Sequence, residues 1–284
     1  MARIAVIGLT GNSVFMCVPH FHAGGETVHA TDFHSELGGK GFNQAVAAAR
    51  QGAEVSFLTA VGTDDVEKVR TFLSAEGITG MVVGKATPSA HATILTDGTG
   101  ETRVTVFPGA RLDVSDVEPF AEAIASTDIL LLTNEVPEEV NMRAAEIASA
   151  AGVKIILNPA PARTLPPVLS SRVSIFTPNE FETAGLENVP GEVVETLGAK
   201  GCCIRSTGEV IPAVPCGEAV DSTGAGDTFN GVRAVRLAEG LSLAEACAEA
   251  NAAAARSVRI RYVLPSIPFR RFDAAMRPCG EARG

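Results

Sequence analysis

A glycine-rich turn, Gly224 to Gly226, leads directly into a predicted helix, with Asp227 inside the first helical turn. The first N–H groups of a helix have no partner within it, and the helix dipole adds partial positive charge there, so Gly224, Ala225 and Gly226 can bind an anion. A carboxylate beside such a site repels phosphate but can take a proton from an attacking hydroxyl. Asp227 is therefore either a general base or an ordinary acidic residue at a helix N-terminus.

Two further stretches carry groups that could serve the same chemistry. Gly38–Asn43 reads GGKGFN before a predicted helix, so Lys40 and its neighbours form a second glycine-rich helix start. It matches neither a P-loop nor a dinucleotide GxGxxG motif. Asn179 and Glu182 follow a buried strand, at the sheet edge where ligands of α/β proteins bind. They either bind Mg²⁺ through water or cap the next helix.

These groups require a scaffold of buried strands alternating with helices. Continuous apolar runs, such as residues 3–8 and 128–134, are typical of strands that are buried on both faces. Helical patterns follow them, one of them from Ser115 to about Ser126, and this repeated βα order predicts a mostly parallel sheet with helices on both faces. Thr196 and Gly198 end a further strand at the ligand-binding edge.

Two stretches, at about residues 12–38 and 88–108, depart from this alternation. Each reads as a pair of extended segments, the second with a DGTG hairpin turn. We expect them to form one small sheet set apart from the main body. Because no linker or repeat separates the remainder, the sequence predicts a single domain over residues 1–284.

Composition excludes several classes of protein. The 284 residues are 46% hydrophobic, which allows a large core, but no apolar run approaches the length of a membrane span. The net charge of −10 argues against a nucleic-acid partner, whereas a nucleotide can still bind through local N–H groups and Mg²⁺. The 6 cysteines form no CxxC pair, so we expect reduced thiols and a cytoplasmic location.

Two stretches resemble the signatures of the PfkB/ribokinase family of carbohydrate kinases: GGKGFNQAVAAARQGAEVSFLTAVGTDD and DSTGAGDTFNG. Intermediate pieces, NPAPARTLP, TPNEFE and TLGAKG, follow in the family's order, so the similarity spans nearly the whole chain. The resemblance implies a ribokinase-like, Rossmann-type α/β sandwich with a small β-sheet lid. It also implies an ATP- and Mg²⁺-dependent kinase of a sugar or sugar-like alcohol, with a homodimer formed through the lid sheet.

The resemblance also implies roles for individual residues. Asp227 would be the base, and Gly224, Ala225 and Gly226 would form the anion hole. The residues that would bind the nucleotide are Asn179, Thr196, Gly198 and Asn251, and Glu182 with Asn179 would hold Mg²⁺ through water. The residues at acceptor-binding positions are Gly11, Ser13, Gly39, Lys40, Asn43, Glu135 and Asp227.

Three departures from the family pattern bear on specificity. Gly11 and Ser13 stand where ribokinases carry an Asn and an Asp that grips ribose, so we expect an acceptor other than free ribose, with the space at Gly11 open to a larger group. The segment 183–195 is short and lacks a helix. Tyr262 and Val263 replace a small Gly-Ala pair found in K⁺-activated relatives, which makes dependence on a monovalent cation doubtful.

Two other functions are compatible with the sequence. One is a nucleoside or pseudouridine-type kinase of the same fold. The other is a regulator that binds sugar or nucleotide without catalysis. The presence of Asp227, the glycine turn and the NxxE motif of Asn179 and Glu182 argues against it, because a binding protein needs no base. The acceptor, the phosphorylated hydroxyl and the oligomeric state remain open at the level of sequence.

Overall fold

The computed structural model describes residues 1–270, so Cys279 and the end of the predicted 1–284 domain lie outside the described residues. The strands are, in chain order, β1 (Arg3–Ile7), β2 (Gly11–Cys17), β3 (Asp32–Gly38), β4 (Glu54–Gly62), β5 (Ile78–Lys85), β6 (Ala90–Thr96), β7 (Thr102–Phe107), β8 (Ile129–Thr133), β9 (Lys154–Asn158), β10 (Ile175–Phe176), β11 (Glu192–Thr196), β12 (Cys202–Ile204) and β13 (Glu209–Ile211).

The helices are α1 (Lys40–Arg50), α2 (Val66–Ala75), α3 (Val114–Val117), α4 (Ala121–Ala125), α5 (Glu138–Ala150), α6 (Pro167–Ser170), α7 (Ala225–Ala238), α8 (Leu243–Ser257) and α9 (Val263–Ser266). Short 3₁₀ turns span Thr63–Asp65, Glu118–Phe120 and Gly198–Lys200.

The main sheet has nine strands in the order β13-β12-β11-β10-β9-β8-β1-β4-β5. From β11 to β5 all neighbours run parallel, whereas β12 and β13 are antiparallel additions at one edge. The predicted parallel sheet is therefore confirmed. Since parallel strands end at one edge, the residues that follow β1, β8, β9, β10 and β11 come together there.

Both faces of this sheet are buried, because the side chains of each strand alternate between two apolar clusters. In β1, Ile4 and Val6 belong to a cluster with α1, α2, α7 and α8, whereas Ala5 and Ile7 belong to a cluster with α3 to α6. The helices therefore cover both faces, as the sequence predicts.

The small sheet, here called the lid, has the strand order β3-β2-β6-β7. β2 and β6 run parallel, and the outer pairs are antiparallel hairpin partners. On its inner face, Phe15 and His34 contact Tyr262, with the His34 and Tyr262 rings stacked at 3.8 Å between centroids. Its outer face carries Phe33 and Phe107, which are 64% and 49% exposed.

The helix expected from Ser115 to about Ser126 is wrong as a single element. A capping box at Asp113 begins α3, a 3₁₀ turn that contains Pro119 interrupts the path, and α4 begins at Ala121. Proline lacks the N–H that a continuous helix would use, which explains the break.

The segment 183–195 has turns and the start of β11 but no helix, as its shortness predicts. Five cysteines within residues 1–270 are free thiols. None of the described helices has the length and apolar character to cross a membrane.

Candidate active site

The start of α7 opens into a cavity of about 220 Å³ at the carboxyl edge of the main sheet. Gly224 precedes the helix with φ of 77°, and a Cβ there would lie 2.5 Å from Val263 Cγ1, so the turn requires glycine. Gly224, Gly226 and Asp227 line the cavity. The Ala225 N–H already donates to Ser222 O at 3.2 Å, so Gly224 and Gly226 are the better placed anion donors.

Asp227 is buried beside this helix start, and two amides from α1 hold its carboxylate. Asn43 Nδ2 donates to Oδ2 at 2.8 Å, and Gln44 Nε2 donates to Oδ1 at 3.3 Å. Burial raises the pKa of Asp227, while the Lys40 charge and the two amide hydrogen bonds oppose that rise and Glu182 adds to it. A carboxylate with a raised pKa and fixed orientation is suited to accept a proton.

Lys40 is the cation at this cavity. Burial alone would lower its pKa, but the surrounding carboxylates Asp227, Glu135 and Glu182 outweigh burial, so its pKa is raised. Lys40 therefore stays charged and compensates the acidic side chains around it.

The start of α1 is packed against the end of β1. A Cβ on Gly39, whose φ is 122°, would lie 2.2 Å from Leu9 O, and one on Gly41 would lie 2.5 Å from Gly8 Cα. Glu135, which follows β8, fills the helix N-terminus: its Oε2 accepts from the N–H groups of Lys40 at 2.7 Å and Gly41 at 3.3 Å. Burial and the neighbouring Asp227 raise the pKa of Glu135 to about 7.

Asn179 and Glu182 form a turn at the wall of the same cavity rather than the start of a helix. The Glu182 carboxylate accepts from the Asn179 backbone N–H and from Asn179 Nδ2, each at 3.0 Å. Both residues line the cavity together with Thr196. Within residues 1–270 no group of three acidic, His or Cys side chains could hold a metal alone. A single carboxylate still fits Mg²⁺, which keeps several waters and takes phosphate oxygens as ligands.

A second cavity, of about 590 Å³, adjoins the first through Ser222, which lines both. Its walls are mostly apolar, and they include Gly198, Ala225 and Asn251. Asn251 Nδ2 donates to the carbonyls of Ile211 at 3.0 Å and Pro212 at 3.2 Å, so it fixes the wall. Gly198 and Asn251 thus line an apolar cavity next to the open start of α7, whereas Thr196 lines the polar cavity.

At the lid, the structure corrects one expectation. The absence of a side chain at Gly11 leaves no room for a larger acceptor, since a Cβ there would lie 2.5 Å from Ala90 O in the paired strand. Gly11 therefore serves strand packing. Ser13 lies on the inner face, next to Gly38, where a Cβ would be 2.6 Å from Ser13 Oγ.

Several polar residues of the cavity wall are not among those predicted from the sequence: Asn158, Thr177, Ser222 and Asn230, together with Gln44 behind them. A signal for the first two was available, because Asn158 ends one buried strand of the parallel sheet and Thr177 directly follows another. Gln44 carries no such signal, since the sequence does not show which face of helix α1 lies toward the cavity.

Comparison with known proteins gives one consistent result. Residues 1–269 match the model described as pfkB family carbohydrate kinase. The chain is 35% identical over 293 residues to the ribokinase of Haemophilus influenzae, covering 94% of this chain and 95% of that protein.

Solved structures agree with this match. The ribokinase of Thermotoga maritima is similar with a TM-score of 0.84 and 32% identity, over 95% of this chain and 97% of that one. The ribokinase of Arabidopsis thaliana complexed with ribose and ATP is similar with a TM-score of 0.83 and 27% identity, over 94% and 96% of the two chains.

Proposed function

The chain belongs to the PfkB family of carbohydrate kinases and is an ATP-dependent sugar kinase, and we propose that Asp227 is the base that activates the sugar hydroxyl. The observation that carries this proposal is the buried Asp227 carboxylate, held by two amides beside the open start of α7. Phosphoryl transfer depends mainly on positioning and on stabilising negative charge, and this arrangement provides both.

Each group around Asp227 then has a task. Asp227 takes the proton of the attacking hydroxyl. The turn from Gly224 to Gly226, mainly through the N–H groups of Gly224 and Gly226, stabilises the charge that develops on the transferred phosphoryl group. Lys40 compensates the acidic cavity. Asn43 Oδ1 is buried and has no hydrogen-bond partner among the described residues, which leaves it free to accept a hydrogen bond from the acceptor.

The nucleotide is proposed to occupy the two adjoining cavities. Gly198 and Asn251 lie on the base side, and Asn179, Thr196 and Glu182 lie on the phosphate side. Glu182 with Asn179 would hold Mg²⁺ through water, and the ion would supply charge neutralisation of the phosphates. ATP use and the free thiols support the cytoplasm as the location.

The identity of the acceptor rests on two opposing observations. The relatives named above are ribokinases, which favours ribose. Ser13, on the inner face of the lid, supplies no carboxylate to hydrogen-bond ribose where the family pattern has an Asp. A charge-assisted hydrogen bond contributes roughly 1.5–3 kcal/mol, so its loss weakens ribose turnover by about one to two decades in kcat/KM. We therefore propose a sugar kinase that turns over ribose but prefers another sugar.

A panel of acceptors tests this proposal. ADP formation would be measured with pentoses, hexoses, sugar phosphates and nucleosides, each as kcat/KM. Some sugar should exceed ribose, and ribose as the best acceptor by tenfold or more would refute the preference while leaving the kinase activity intact. No ADP formation with any member would instead favour a binding protein.

The variant Ser13→Asp sharpens the test. It restores a carboxylate on the inner face of the lid and should raise ribose kcat/KM by about tenfold. Ser35→Asp is the matched control, because Ser35 is an exposed serine on the outer face of β3. An equal rise of ribose kcat/KM in both variants would show that the added negative charge acts at a distance rather than through contact with ribose.

A nucleoside acceptor is the second candidate, because an aromatic cavity lies under the lid. This cavity, of about 320 Å³, is lined by Phe15, Ile94 and Tyr262, against which a base could stack. The same acceptor panel decides between the two classes.

The outer face of the lid supports a homodimer. Phe33 and Phe107 are exposed there, and large exposed apolar side chains on one face commonly mark an interface. Sedimentation of the wild type and of Phe33→Asp tests this: a dimer should become a monomer in the variant, and a monomeric wild type would rule the interface out.

A further inference from the structure

Arg233 is fully buried in α7, beyond Asp227 on the same helix. Its Nη2 donates to Asn230 Oδ1 at 3.2 Å and to Thr177 Oγ1, and its guanidinium lies 5.2 Å from the centre of the Phe229 ring. No carboxylate within residues 1–270 forms an ion pair with it. Burial lowers the pKa of Arg233, yet a guanidinium titrates so high that the group stays charged.

Burying a cation without a carboxylate partner costs free energy, so the hydrogen bonds of Arg233 must offset part of this cost. Both of its acceptors, Thr177 and Asn230, line the cavity of Asp227. Since Arg233 donates to Asn230 Oδ1, the amide of Asn230 is fixed with Nδ2 toward Gly226 O, to which it donates at 2.9 Å. The orientation of the first turn of α7 is therefore tied to Arg233.

The second acceptor leads back to Asp227 through three further bonds. Thr177 O accepts from Asn158 Nδ2 at 2.8 Å, and Asn158 Oδ1 accepts from Gln44 Nε2 at 3.3 Å. The same Gln44 Nε2 donates to Asp227 Oδ1 at 3.3 Å. These contacts close a ring that joins α7, the ends of β9 and β10, and α1 around the carboxylate.

Arg236, on the same helix, is a second buried arginine with which Arg233 can be compared. It pairs with Glu239 at 3.0 Å and with Gln51 Oε1 at 2.8 Å, and it does not reach the cavity. The difference lies in the partners. Arg236 is neutralised by a carboxylate, whereas Arg233 donates to Thr177 and Asn230 of the cavity wall and also lies beside the Cys247 thiol and the Phe229 ring.

We propose that Arg233 is a positioning residue that, through Thr177 and Asn230, holds the ring around Asp227 and the open start of α7. This inference rests on the proposed function, because it assigns Arg233 a part in orienting the base. The charged groups that face Asp227 are Lys40 from α1, Glu135 after β8 and Glu182 after β10, and a substitution of Arg233 removes none of these charges.

The test compares Arg233→Met with Arg236→Met in the full chain, since both remove a buried guanidinium from α7. Arg233→Met should lower kcat by about tenfold to a hundredfold and leave the KM for ATP within about threefold, because a loosened ring affects the transition state more than substrate binding. Arg236→Met should lower Tm but keep kcat. Thr177→Val removes one ring hydroxyl at small structural cost and should lower kcat by about threefold.

A readout independent of turnover is the pKa of Asp227, followed by NMR of ¹³C-labelled aspartate carboxyls with Asp227→Asn for assignment. Loss of the ring loosens the Gln44 donor, so the pKa of Asp227 should rise by about one pH unit in Arg233→Met and stay unchanged in Arg236→Met. An unchanged pKa, or equal kcat in the two arginine variants, would overturn the inference. Inactivity of the wild type would refute the proposed function, and the titration would still decide the role of Arg233.

Discussion

The starts of α1 and α7 are both rich in glycine but have opposite surroundings. Both helices follow a glycine with positive φ, Gly39 at 122° and Gly224 at 77°. At α1 the carboxylate of Glu135 occupies the N–H groups, whereas α7 opens into the cavity with Asp227 at its edge. Only the second start is left for an external anion.

This difference shows that a glycine-rich helix start is a potential anion site, and that a distant residue decides whether it is used. Glu135 follows β8, and its carboxylate holds the start of α1 through two backbone hydrogen bonds. Helix α1 then presents Asn43 and Gln44 to Asp227. One helix start is thus part of the scaffold, and the other is the proposed site of chemistry.

The largest expected effect comes from Asp227→Asn at the open start. Loss of a general base should lower kcat by roughly 10²–10⁴ while ATP and acceptor still bind. Steady-state kinetics and calorimetric titration measure the two quantities. Asp64→Asn, at the exposed 3₁₀ turn before α2, is the control and should keep full activity. A kcat of Asp227→Asn within about threefold of the wild type would show that Asp227 is only a helix-terminal acid.

The next effect concerns Glu135 at the closed start. Because burial raises the pKa of Glu135 from 4.5 to about 7, the folded protein keeps a proton there that the unfolded chain has released. Its contribution to the free energy of unfolding is therefore complete below about pH 4.5 and is lost as the pH rises through 7.

Glu135→Gln removes this titration and keeps one acceptor for α1. The loss of unfolding free energy between pH 5 and pH 8 should be smaller than in the wild type by roughly 1–3 kcal/mol. Urea denaturation across this pH range gives the comparison, with Glu138→Gln in the first turn of α5 as control. Parallel pH curves for the wild type and Glu135→Gln would contradict a raised pKa at the start of α1.

The sequence could predict those parts of the molecule that depend on local pattern. Continuous apolar strands, helical periodicity and glycine turns specify the parallel sheet, the lid hairpins and the two helix starts, and all of these are confirmed. The exception among these local features is Pro119, which divides the helix expected from Ser115 to about Ser126.

What the sequence could not predict depends on contacts between distant segments. Glu135 is predicted to contact the acceptor, but its hydrogen bonds to the start of α1 could not be read from the sequence. The ring through Gln44, Thr177 and Arg233 joins residues from three separate elements, and no spacing rule connects them. The space expected at Gly11 is filled by a neighbouring strand, which only the pairing of β2 with β6 shows.

A smaller effect tests whether the open start depends on a metal-bound phosphate. Glu182→Gln should raise the Mg²⁺ concentration needed for half-maximal rate by a few-fold, because a water-held Mg²⁺ has few protein carboxylates. The deficit should shrink at high Mg²⁺. Glu180→Gln, an exposed neighbour in the same turn, is the matched control. Identical Mg²⁺ titrations for Glu182→Gln and the wild type would leave Glu182 as a turn residue only.

The smallest effect concerns K⁺ near the open start, where we expect less than a twofold change in rate. Two carboxylates beside the loop that contains Tyr262 would attract a cation, but they already accept hydrogen bonds from backbone N–H groups. Asp221 Oδ1 accepts from Thr223 N and Oδ2 from Tyr262 N, each at 2.9 Å, and Glu36 accepts from Val263 N at 2.9 Å. An ion bound to either carboxylate would have to compete with these bonds.

Steady-state rates with Na⁺ exchanged for K⁺ at constant ionic strength measure this effect. Tyr262→Gly would remove the side chain that stacks on His34 and would relax the positive φ of 68° at this position. If Tyr262 is what excludes the ion, this variant should gain a K⁺ response that the wild type lacks. A severalfold K⁺ activation of the wild type would show that backbone carbonyls of the loop bind the ion despite the bonds to Asp221 and Glu36, and the start of α7 would then depend on a cation that the start of α1 does not need.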